Sequence, residues 1–465
     1  MKKIVLCIVL FCVTNVLFAQ YTFTLKGKVK NHKIENQFTF FTSEGSKKFP
    51  LANDGSFELK LTIPQANLFC AIRYSEERGK NITLFATDKA IIELEFDGSE
   101  TKLTPNFKNT SATTQNFVQA FEKRFLMKCW GIIYGVSDMK WVTTKLDSLE
   151  KVEMAFVDSF ATAQNVNKFI VETVKLKTVY ENSNAKIFAY GNYWKNKKAL
   201  KDSSAVPVAL QPDFSKITIQ NEPFLFLDEY KYFLTTYCNY KALAKNTTYT
   251  DNQSVQLQYE YAKKNFTGKV QLYLLYDIVK SAYSARNFSP EITALVKDFE
   301  TVQTDPTYST ALAAIKTKWE KLAKGNPAPN FALQDSTGKT VSLADFKGKV
   351  VFLDFWASWC GPCIGEMPSA KKVKEKFKGQ NVVFLYLSID TNETLWKNAM
   401  KKHGIEGIHL LVPPKENWNH QIPVTYNVNG IPAYFLIDKE GKFAVNVAPR
   451  PSDEKLITEI EKALK

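Results

Sequence analysis

The chain has few cysteines, no cluster of arginines and, beyond its first residues, no long apolar run. Seven cysteines in 465 residues are too few for a scaffold held together by disulfides. The net charge is +14, but the basic residues are scattered and are mostly lysine. This pattern favours a solvated basic surface over nucleic-acid recognition. The absence of a second long apolar run excludes a membrane span after the N-terminus.

The N-terminal segment has the pattern of a secretory signal peptide. Lys2 and Lys3 form its basic region, an apolar stretch covers residues 4–13, and Ala19 provides a small residue for cleavage. Because Leu17 occupies the −3 position, the cleavage site is imperfect, and an uncleaved membrane anchor is the alternative. The apolar stretch is shorter than the roughly 20 residues that a span needs. We therefore expect cleavage, a periplasmic location, and a net charge that falls from +14 to +12 as two lysines leave.

The cysteines divide into one spaced pair and several isolated residues. Cys7 and Cys12 would leave with the signal peptide. Three others stand alone among apolar or aromatic neighbours and are expected to be buried, inert thiols, with a disulfide between two of them left open: Cys70, Cys129 and Cys238. Thiol chemistry is therefore predicted only for Cys360 and Cys363.

Changes in hydrophobic period predict three domains after the signal peptide at 1–19. From 20 to 112, apolar and polar residues alternate, which predicts an antiparallel β domain of the sandwich type. From 113 to 322 the period is helical, which predicts an all-α domain, with loops in the more polar stretch 182–223. The segment 325–329, Gly-Asn-Pro-Ala-Pro, is a predicted linker.

The last predicted domain, 323–465, has an α/β pattern. A hairpin at 331–343 precedes a continuous apolar run at 350–356, which suits a strand buried on both faces. A helix follows, and the remaining pattern predicts strands at 382–388, 434–437 and 443–447, a helix at 393–403, and a last helix from Asp453. The order is βαβ followed by ββα around a central sheet.

The sequence Trp359-Cys360-Gly361-Pro362-Cys363 follows the buried strand and opens a helix. This spacing brings two sulfurs within bonding distance across one turn. Unpaired N–H groups and the helix dipole stabilise a thiolate on the first sulfur. Cys360 is therefore predicted to be an exposed nucleophile of low pKa, and Cys363 a buried resolving thiol. Pro362 lies in the first turn, where its missing N–H costs little.

Two other uses of the pair are less consistent with the sequence. A zinc site would need two further ligands at metal-binding spacing, and His403, His409 and His420 show no such grouping. An ordinary structural disulfide would not require a position between a strand and a helix. We therefore predict redox exchange, with no cofactor and no bound metal.

Several segments around the pair resemble the exported TlpA/ResA branch of thioredoxin-like proteins, over about 140 residues. They are Ala328-Pro329-Asn330-Phe331, Leu343-Ala344-Asp345-Phe346-Lys347-Gly348-Lys349, Phe355-Trp356-Ala357-Ser358 ahead of the pair, and Glu366-Met367-Pro368. The resemblance implies a C-terminal thioredoxin fold. The N-terminal β domain resembles an uncharacterised domain often found ahead of such folds. A peroxidase is disfavoured, because Leu353 and Ala357 replace the Pro and Thr of the peroxiredoxin motif.

Further site residues follow from their context and from the resemblance. Asp354 stands in an apolar strand, where a carboxyl is costly and has a raised pKa. The alternative is a satisfied polar residue at a strand end. In thioredoxins an aspartate at this position helps to deprotonate the buried cysteine, and the neighbouring lysine is replaced here around Tyr386.

The resemblance also implies that Pro432 is a cis proline facing the pair, which exposes the backbone of Ile431 for pairing with a substrate. A strand-opening proline is the alternative. Glu366 either influences active-site acidity and partner choice or only complements the helix dipole. The predicted substrate-contacting residues are Trp359, Gly361, Pro362 and Ile431.

The favoured function is reduction of disulfides in exported proteins, followed by re-reduction of the pair by a membrane electron donor, which only the resemblance implies. An oxidase or isomerase would use the same residues and differ in reduction potential. A binding protein with an incidental redox pair is the third hypothesis. No nucleic-acid partner is predicted.

Overall fold

The structure is a computed structural model that describes residues 21–33, 37–42, 45–63, 65–75, 80–126, 128–133, 138–199, 211–243, 249–284, 289–303 and 305–465. The predicted signal peptide, with Cys7 and Cys12, lies outside the described residues. Described residues up to Ile278 form one compact unit, and those from Val279 to Lys465 form a second. The three-domain division expected from the sequence stays a prediction.

The first unit begins with strands whose side chains form one core. The strands are β1 (Tyr21–Lys30), β2 (Phe38–Thr42), β3 (Gly45–Phe49), β4 (Ser56–Ile63), β5 (Asn67–Arg73), β6 (Asn81–Thr87), β7 (Ile91–Asp97) and β8 (Asn106–Lys108). One sheet has the order β4-β1-β7-β8 and another has the order β3-β2-β5-β6. Side chains of both sheets, such as Phe23 and Ile72, share the core. The predicted β-sandwich is confirmed.

One strand pair differs from the antiparallel arrangement that was predicted. β1 runs parallel to β7, with Gly27 opposite Leu94, whereas β2, β3, β5 and β6 pair in antiparallel fashion. A Cβ at Gly27 would lie 1.7 Å from the Leu94 carbonyl oxygen, so this close pairing requires glycine. A period of two indicates strands and their faces but not which distant strand docks beside them.

The described chain from Ala112 to Lys321 is mostly helical. The helices are α1 (Ala112–Phe125), α2 (Lys128–Ile133), α3 (Met139–Gln164), α4 (Lys168–Ala199), α5 (Asp228–Ala242), α6 (Asp251–Asn265), α7 (Gly268–Ser284), α8 (Pro290–Val302) and α9 (Pro306–Lys321). Side chains of N-cap residues accept backbone N–H groups at the starts of α3, α6, α8 and α9. The all-α prediction is confirmed. In the ranges the structure describes, none of the helices is both long and apolar enough for a membrane span.

Helix α4 continues through part of the stretch for which loops were predicted. Three consecutive polar residues of α4 are nevertheless buried among the helices of the first unit: Asn182, Ser183 and Asn184. The Asn182 Nδ2 donates to the Glu153 carboxylate at 2.8 Å, and Asn184 Nδ2 donates to the Glu229 carbonyl at 3.2 Å. The loop prediction was wrong here because tertiary hydrogen bonds from Asn182 and Asn184 hold this polar segment among the helices.

The second unit contains the predicted thioredoxin fold. Its strands are β9 (Ala332–Asp335), β10 (Thr340–Ser342), β11 (Val350–Trp356), β12 (Val382–Ser388), β13 (Ile408–Leu411), β14 (Ala433–Ile437) and β15 (Phe443–Val445), and the helices after α9 are α10 (Gly361–Lys376), α11 (Glu393–His403), α12 (Gln421–Thr425) and α13 (Lys455–Leu464). The strand order is β10-β9-β13-β12-β11-β14-β15. All residues of β11 are buried between parallel β12 and antiparallel β14.

The core of the second unit extends back into α9 and through the predicted linker. Trp319 and Leu322 pack in the same core as β11. The Gly325 N–H donates to the Phe443 carbonyl at 2.8 Å, and the Ala328 N–H donates to the Gly441 carbonyl at 2.9 Å. The segment predicted to be a linker is therefore held at the β15 edge of the sheet by backbone hydrogen bonds.

Candidate active site

The C-x-x-C pair lies where the loop after β11 enters α10. Cys360 and Cys363 are joined by a disulfide, with their Cα atoms 5.3 Å apart. Cys360 is the N-cap residue of α10, and its Sγ accepts a hydrogen bond of 3.2 Å from the Cys363 N–H. The first turn of α10 thus directs a backbone N–H at the first sulfur. This arrangement stabilises a thiolate once the disulfide is reduced.

The exposure predicted for Cys360 is wrong for the disulfide-bonded state. The residue is 4% exposed and Cys363 is fully buried, because the S–S bond and the Cys363 N–H hold the Cys360 sulfur against the first turn. Trp359 is 59% exposed, and Gly361 and Pro362 are exposed beside it. Contact of these three residues with a substrate stays a prediction.

Asp354 is buried in β11, the strand that leads to the pair. Its side chain is 1% exposed, and Oδ1 has no hydrogen-bond partner in the described part of the chain. Burial raises the pKa of the Asp354 carboxyl well above its usual range, and the Glu366 carboxylate raises this pKa further. Such a carboxyl exchanges its proton at a pH closer to neutrality than an exposed aspartate does.

A row of polar side chains crosses the sheet at Asp354. Asp354 lies opposite Tyr434 on one neighbouring strand and opposite Tyr386 on the other, and Tyr386 lies opposite His409. The Tyr386 and His409 rings stack with centroids 4.6 Å apart. Burial lowers the pKa of His409 to about 4. His409 is therefore uncharged near neutral pH. Hence no side chain of this row is a cation that could take the place of the lysine that lies near this aspartate in thioredoxins.

The Ile431–Pro432 peptide bond is cis, as the resemblance implied. It lies directly before β14, whose first residue, Ala433, pairs with Phe355 of β11. Ile431 and Pro432 are half-buried, and Gly430 is exposed. The bend before β14 thus lies next to the strand that carries Asp354 towards the pair. Pairing of the Ile431 backbone with a substrate stays a prediction.

Glu366 connects α10 to the segment that follows β15. Its carboxylate accepts hydrogen bonds from the Ser452 N–H at 2.9 Å and the Ser452 hydroxyl at 3.0 Å, and Arg450 Nη1 lies 3.7 Å from Oε1. The side chain is 12% exposed. Together with its effect on the pKa of Asp354, these contacts favour an influence on site acidity over a role limited to the helix dipole.

Asp390 is a site residue that was not predicted. It lies just after β12 and holds the loop that leads into Cys360. Its carboxyl group accepts hydrogen bonds from the Ser358 N–H at 2.8 Å, the Ser358 hydroxyl at 2.6 Å and the Ser388 hydroxyl at 2.7 Å. Asp390 is 1% exposed, so these bonds satisfy a buried polar group. The available sequence signal was Ser388-Ile389-Asp390 at the end of an apolar strand.

We expect Asp390→Ala to lower the free energy of unfolding of this region by about 1–3 kcal/mol, because the Ser358 N–H loses its buried acceptor. Native-state hydrogen exchange of amides in β11 and β12 measures the change. Asp335→Ala is the matched control, since Asp335 accepts similar bonds from Thr337 in an exposed turn, where water can replace it. Equal losses in the two variants would contradict the importance of burial.

The three isolated cysteines belong to the first unit, whereas the C-x-x-C pair belongs to the second. Cys70, Cys129 and Cys238 are free and buried. Burial raises the pKa of each thiol, that of Cys238 to about 12. They therefore have little thiolate at neutral pH. Within the described ranges, no group of three or more His, Cys, Asp and Glu side chains is arranged to hold a metal ion.

Comparison with known proteins assigns relatives to the segment that contains the pair. A family model described as Redoxin matches residues 323–457. The thiol-disulfide oxidoreductase ResA of Bacillus thuringiensis subsp. konkukian is 38% identical over 140 residues, which cover 30% of this chain and 78% of that protein. ResA of Bacillus subtilis is 37% identical over 123 residues, which cover 26% of this chain and 66% of that protein.

Solved structures also match this segment. The thioredoxin domain of a thiol-disulfide oxidoreductase from Bacteroides vulgatus is 32% identical, with a TM-score of 0.29, and the match covers 31% of this chain and 99% of that domain. The family match contains the predicted site residues Asp354, Cys360, Cys363, Glu366 and Pro432. It also contains Asp390 and Arg450, whereas Trp319 precedes it.

Proposed function

The chain belongs to the ResA-type thiol-disulfide oxidoreductases of the redoxin family, and on this premise we propose that Cys360 and Cys363 are its working pair. One observation carries the proposal: a C-x-x-C disulfide at the start of α10 lies directly after a buried central strand. The cis Pro432 beside that strand and the inert, buried state of the isolated cysteines add support.

The reaction begins with the reduced pair. The Cys360 thiolate attacks one sulfur of a partner disulfide, whose S–S bond breaks as a Cys360–partner bond forms. The displaced partner thiolate takes up a proton from the medium. The first turn of α10 stabilises the attacking thiolate, because the Cys363 N–H points at the Cys360 sulfur.

The second step resolves the mixed disulfide. Cys363 loses its proton and attacks the Cys360 sulfur, and the Cys360–partner bond breaks as the Cys360–Cys363 bond forms. The second partner thiolate leaves and takes up a proton from the medium. The partner has then gained two electrons and two protons, and the pair is oxidised to the disulfide seen in the structure. Asp354 acts as the base for Cys363, because its raised pKa suits it to accept a thiol proton.

We further propose that the reaction runs as reduction in the periplasm. Gly361 and Pro362 between the cysteines match thioredoxin, which has a reducing potential. The basic and apolar segments at the N-terminus support export. The partners are then disulfide-bearing exported proteins as substrates and a membrane electron donor that returns two electrons to the pair.

The equilibrium reduction potential tests the direction of the reaction. We expect about −270 mV for the pair, because its Gly-Pro spacer is that of thioredoxin. The chain is equilibrated across thiol–disulfide buffers, quenched with acid, and its Cys360 and Cys363 thiols are counted by alkylation and mass spectrometry. The buried Cys70, Cys129 and Cys238 serve as an internal control, because they are free in the structure and are expected to stay thiols at every potential.

A potential of about −120 to −180 mV would contradict the reductive direction. The same residues would then act in disulfide formation or isomerisation, and the premise of thiol-disulfide chemistry would stand. No measurable equilibrium between the thiol and disulfide forms would instead contradict the pair as the working group.

A further inference from the structure

A cavity of about 300 Å³ lies beside the cis proline in the second unit. Its lining combines apolar or aromatic side chains, carboxamides and one cation with Ser284 and Gly430. Those used below are Trp319, Asn427, Asn429, Pro432, Tyr434 and Arg450. No carboxylate is among its lining residues in the described part of the chain. Pro432 belongs to both the cavity and the candidate active site, so a molecule bound there would contact the cis proline of that site.

One wall of the cavity comes from outside the family match. Trp319 belongs to α9, and the match to the redoxin family begins at residue 323. Trp319 is 3% exposed and packs into the core that contains β11, so its ring is fixed by the fold. The helix ahead of the thioredoxin domain therefore completes a pocket that Pro432 also lines.

Arg450 supplies the positive charge of the cavity. Its side chain is 58% exposed, and its one ion pair in the described ranges joins Nη1 to Glu366 Oε1 at 3.7 Å. The Glu366 carboxylate already accepts two hydrogen bonds from Ser452. Arg450 therefore keeps most of its five N–H donors for another acceptor, in the fork geometry that matches a carboxylate.

The polar groups nearby also lack strong partners. The Asn429 Nδ2 donates to the Asn427 Oδ1 at 3.4 Å, which is a long hydrogen bond. The Tyr434 hydroxyl is buried and has no hydrogen-bond partner in the described part of the chain. The cavity thus combines an arginine and amide donors with a short stretch of backbone at which an extended segment can pair.

We propose that this cavity binds the carboxylate of an aspartate or glutamate that lies within two residues of the disulfide cysteine in a polypeptide substrate. The inference rests on the proposed function and names its substrate class. Arg450 binds the carboxylate, Trp319 packs against the side-chain stem, and the segment runs along Pro432 towards Cys360. Acidic substrates also suit the net positive charge of this chain, which is +14 in full and is expected to be +12 without Lys2 and Lys3.

The test compares disulfide-bonded peptides that differ only in Glu or Gln at each of the two positions on either side of the cysteine. The reduced full chain is mixed with each peptide, and the second-order rate constant of this single turnover, equivalent to kcat/KM, is measured at low and high salt. At the preferred position we expect the Glu peptide to be favoured about two- to fivefold at low salt, the range for a solvent-accessible ion pair.

Variants separate this preference from general activity. Arg450→Gln should bring the Glu-to-Gln ratio close to one, and Arg450→Lys should retain part of it. Lys378→Gln is the matched control, because Lys378 is an exposed cation just before β12. β11 and β12 are parallel, so Lys378 precedes the N-terminal ends of these strands, whereas Cys360 follows the C-terminal end of β11. The control variant should leave both the ratio and the activity unchanged.

Three outcomes would overturn the inference. Equal kcat/KM values for every Glu and Gln pair would show that the cavity does not select acidic substrates. A ratio that survives in Arg450→Gln would place the selectivity elsewhere. Reduction of none of the peptides would contradict the proposed function itself, whereas equal reduction of all of them would leave that function intact.

Discussion

Replacement of Cys360 by serine is expected to abolish disulfide reduction, with a loss on the order of a thousandfold or more. Serine cannot form the mixed disulfide, because its hydroxyl is not a nucleophile towards sulfur at neutral pH. The measurement is the rate at which the reduced chain reduces a disulfide-bearing protein. The fold should be retained, since Cys360 caps α10 through an acceptor that serine also provides.

Replacement of Cys363 by serine should have a different outcome. Cys360 can still attack, but the mixed disulfide cannot be resolved, so a covalent complex with the substrate should accumulate. Non-reducing electrophoresis and mass spectrometry would detect it. Cys238→Ser is the matched control, because the Cys238 Sγ contacts the Gln258 carbonyl in the first unit and lies outside the redox site. It should leave turnover unchanged.

The paired variants also separate the hypotheses left open by the sequence. If Cys360→Ser retained the cellular phenotype of the wild type, the chain would act as a binding protein with an incidental redox pair. If both single variants trapped substrate equally, the assignment of Cys360 as attacking residue would be wrong. Loss of turnover in Cys360→Ser together with trapping only in Cys363→Ser is the result that the proposed mechanism requires.

The second unit was the part of the fold most readily predicted from sequence. The predicted bounds of β11, β12 and α11 agree with the structure. Buried parallel strands give continuous apolar runs, and the Asn392 side chain caps the first turn of α11. Strand β13 was missed, because it has only four residues and His409 interrupts its apolar pattern. Its burial depends on packing against Tyr386, which no local pattern records.

Buried polar groups explain most of the remaining differences. Lys177 in α4 is one example: its ammonium lies 2.5 Å from a Glu229 carboxylate oxygen and 3.6 Å from a Glu122 carboxylate oxygen. The charge of Lys177 is compensated only when three helices pack together, so a helical period alone cannot predict its burial. The parallel pairing of β1 with β7 is similarly a long-range event.

The residues of the candidate site also differ in whether the sequence could identify them. Cys360 and Cys363 were identified from a local motif, and the role of Pro432 was implied by the resemblance to the TlpA/ResA branch. Asp390 and Arg450 belong to no sequence motif. Their importance arises from contacts with residues distant in sequence, Asp390 with Ser358 and Arg450 with Glu366. The burial of Cys360 was missed because the sequence argument considered a thiolate and not the closed disulfide.

Asp354→Asn is expected to slow the resolving step by about a hundredfold at neutral pH, because the base for the Cys363 thiol is lost. In the wild type the rate should rise with pH through the raised pKa of Asp354, since only the carboxylate accepts the proton. In the variant this inflection should disappear. Stopped-flow measurement of mixed-disulfide resolution between pH 5 and 9 would give the pH–rate profiles of the wild type and of the variant.

The same variant should gain stability, which separates lost chemistry from lost structure. The pKa of Asp354 is higher in the folded chain than in the unfolded chain, so the folded state binds more protons. The stability that Asp354 contributes is therefore complete below its unfolded pKa of about 4 and is lost as the pH rises through the folded pKa. Asparagine has no such loss, so the variant should become the more stable protein as pH rises.

Glu366→Gln provides the matched control for this electrostatic argument. Removal of the Glu366 charge should lower the pKa of Asp354, because that carboxylate raises it in the wild type. The inflection in the resolving step should move to lower pH, while the maximum rate above it is retained. An unchanged pH profile in Asp354→Asn would contradict Asp354 as the base, and an unchanged inflection in Glu366→Gln would contradict the coupling of the two carboxyl groups. A less stable Asp354→Asn at neutral pH would mean that the carboxyl is a satisfied structural group at the end of β11.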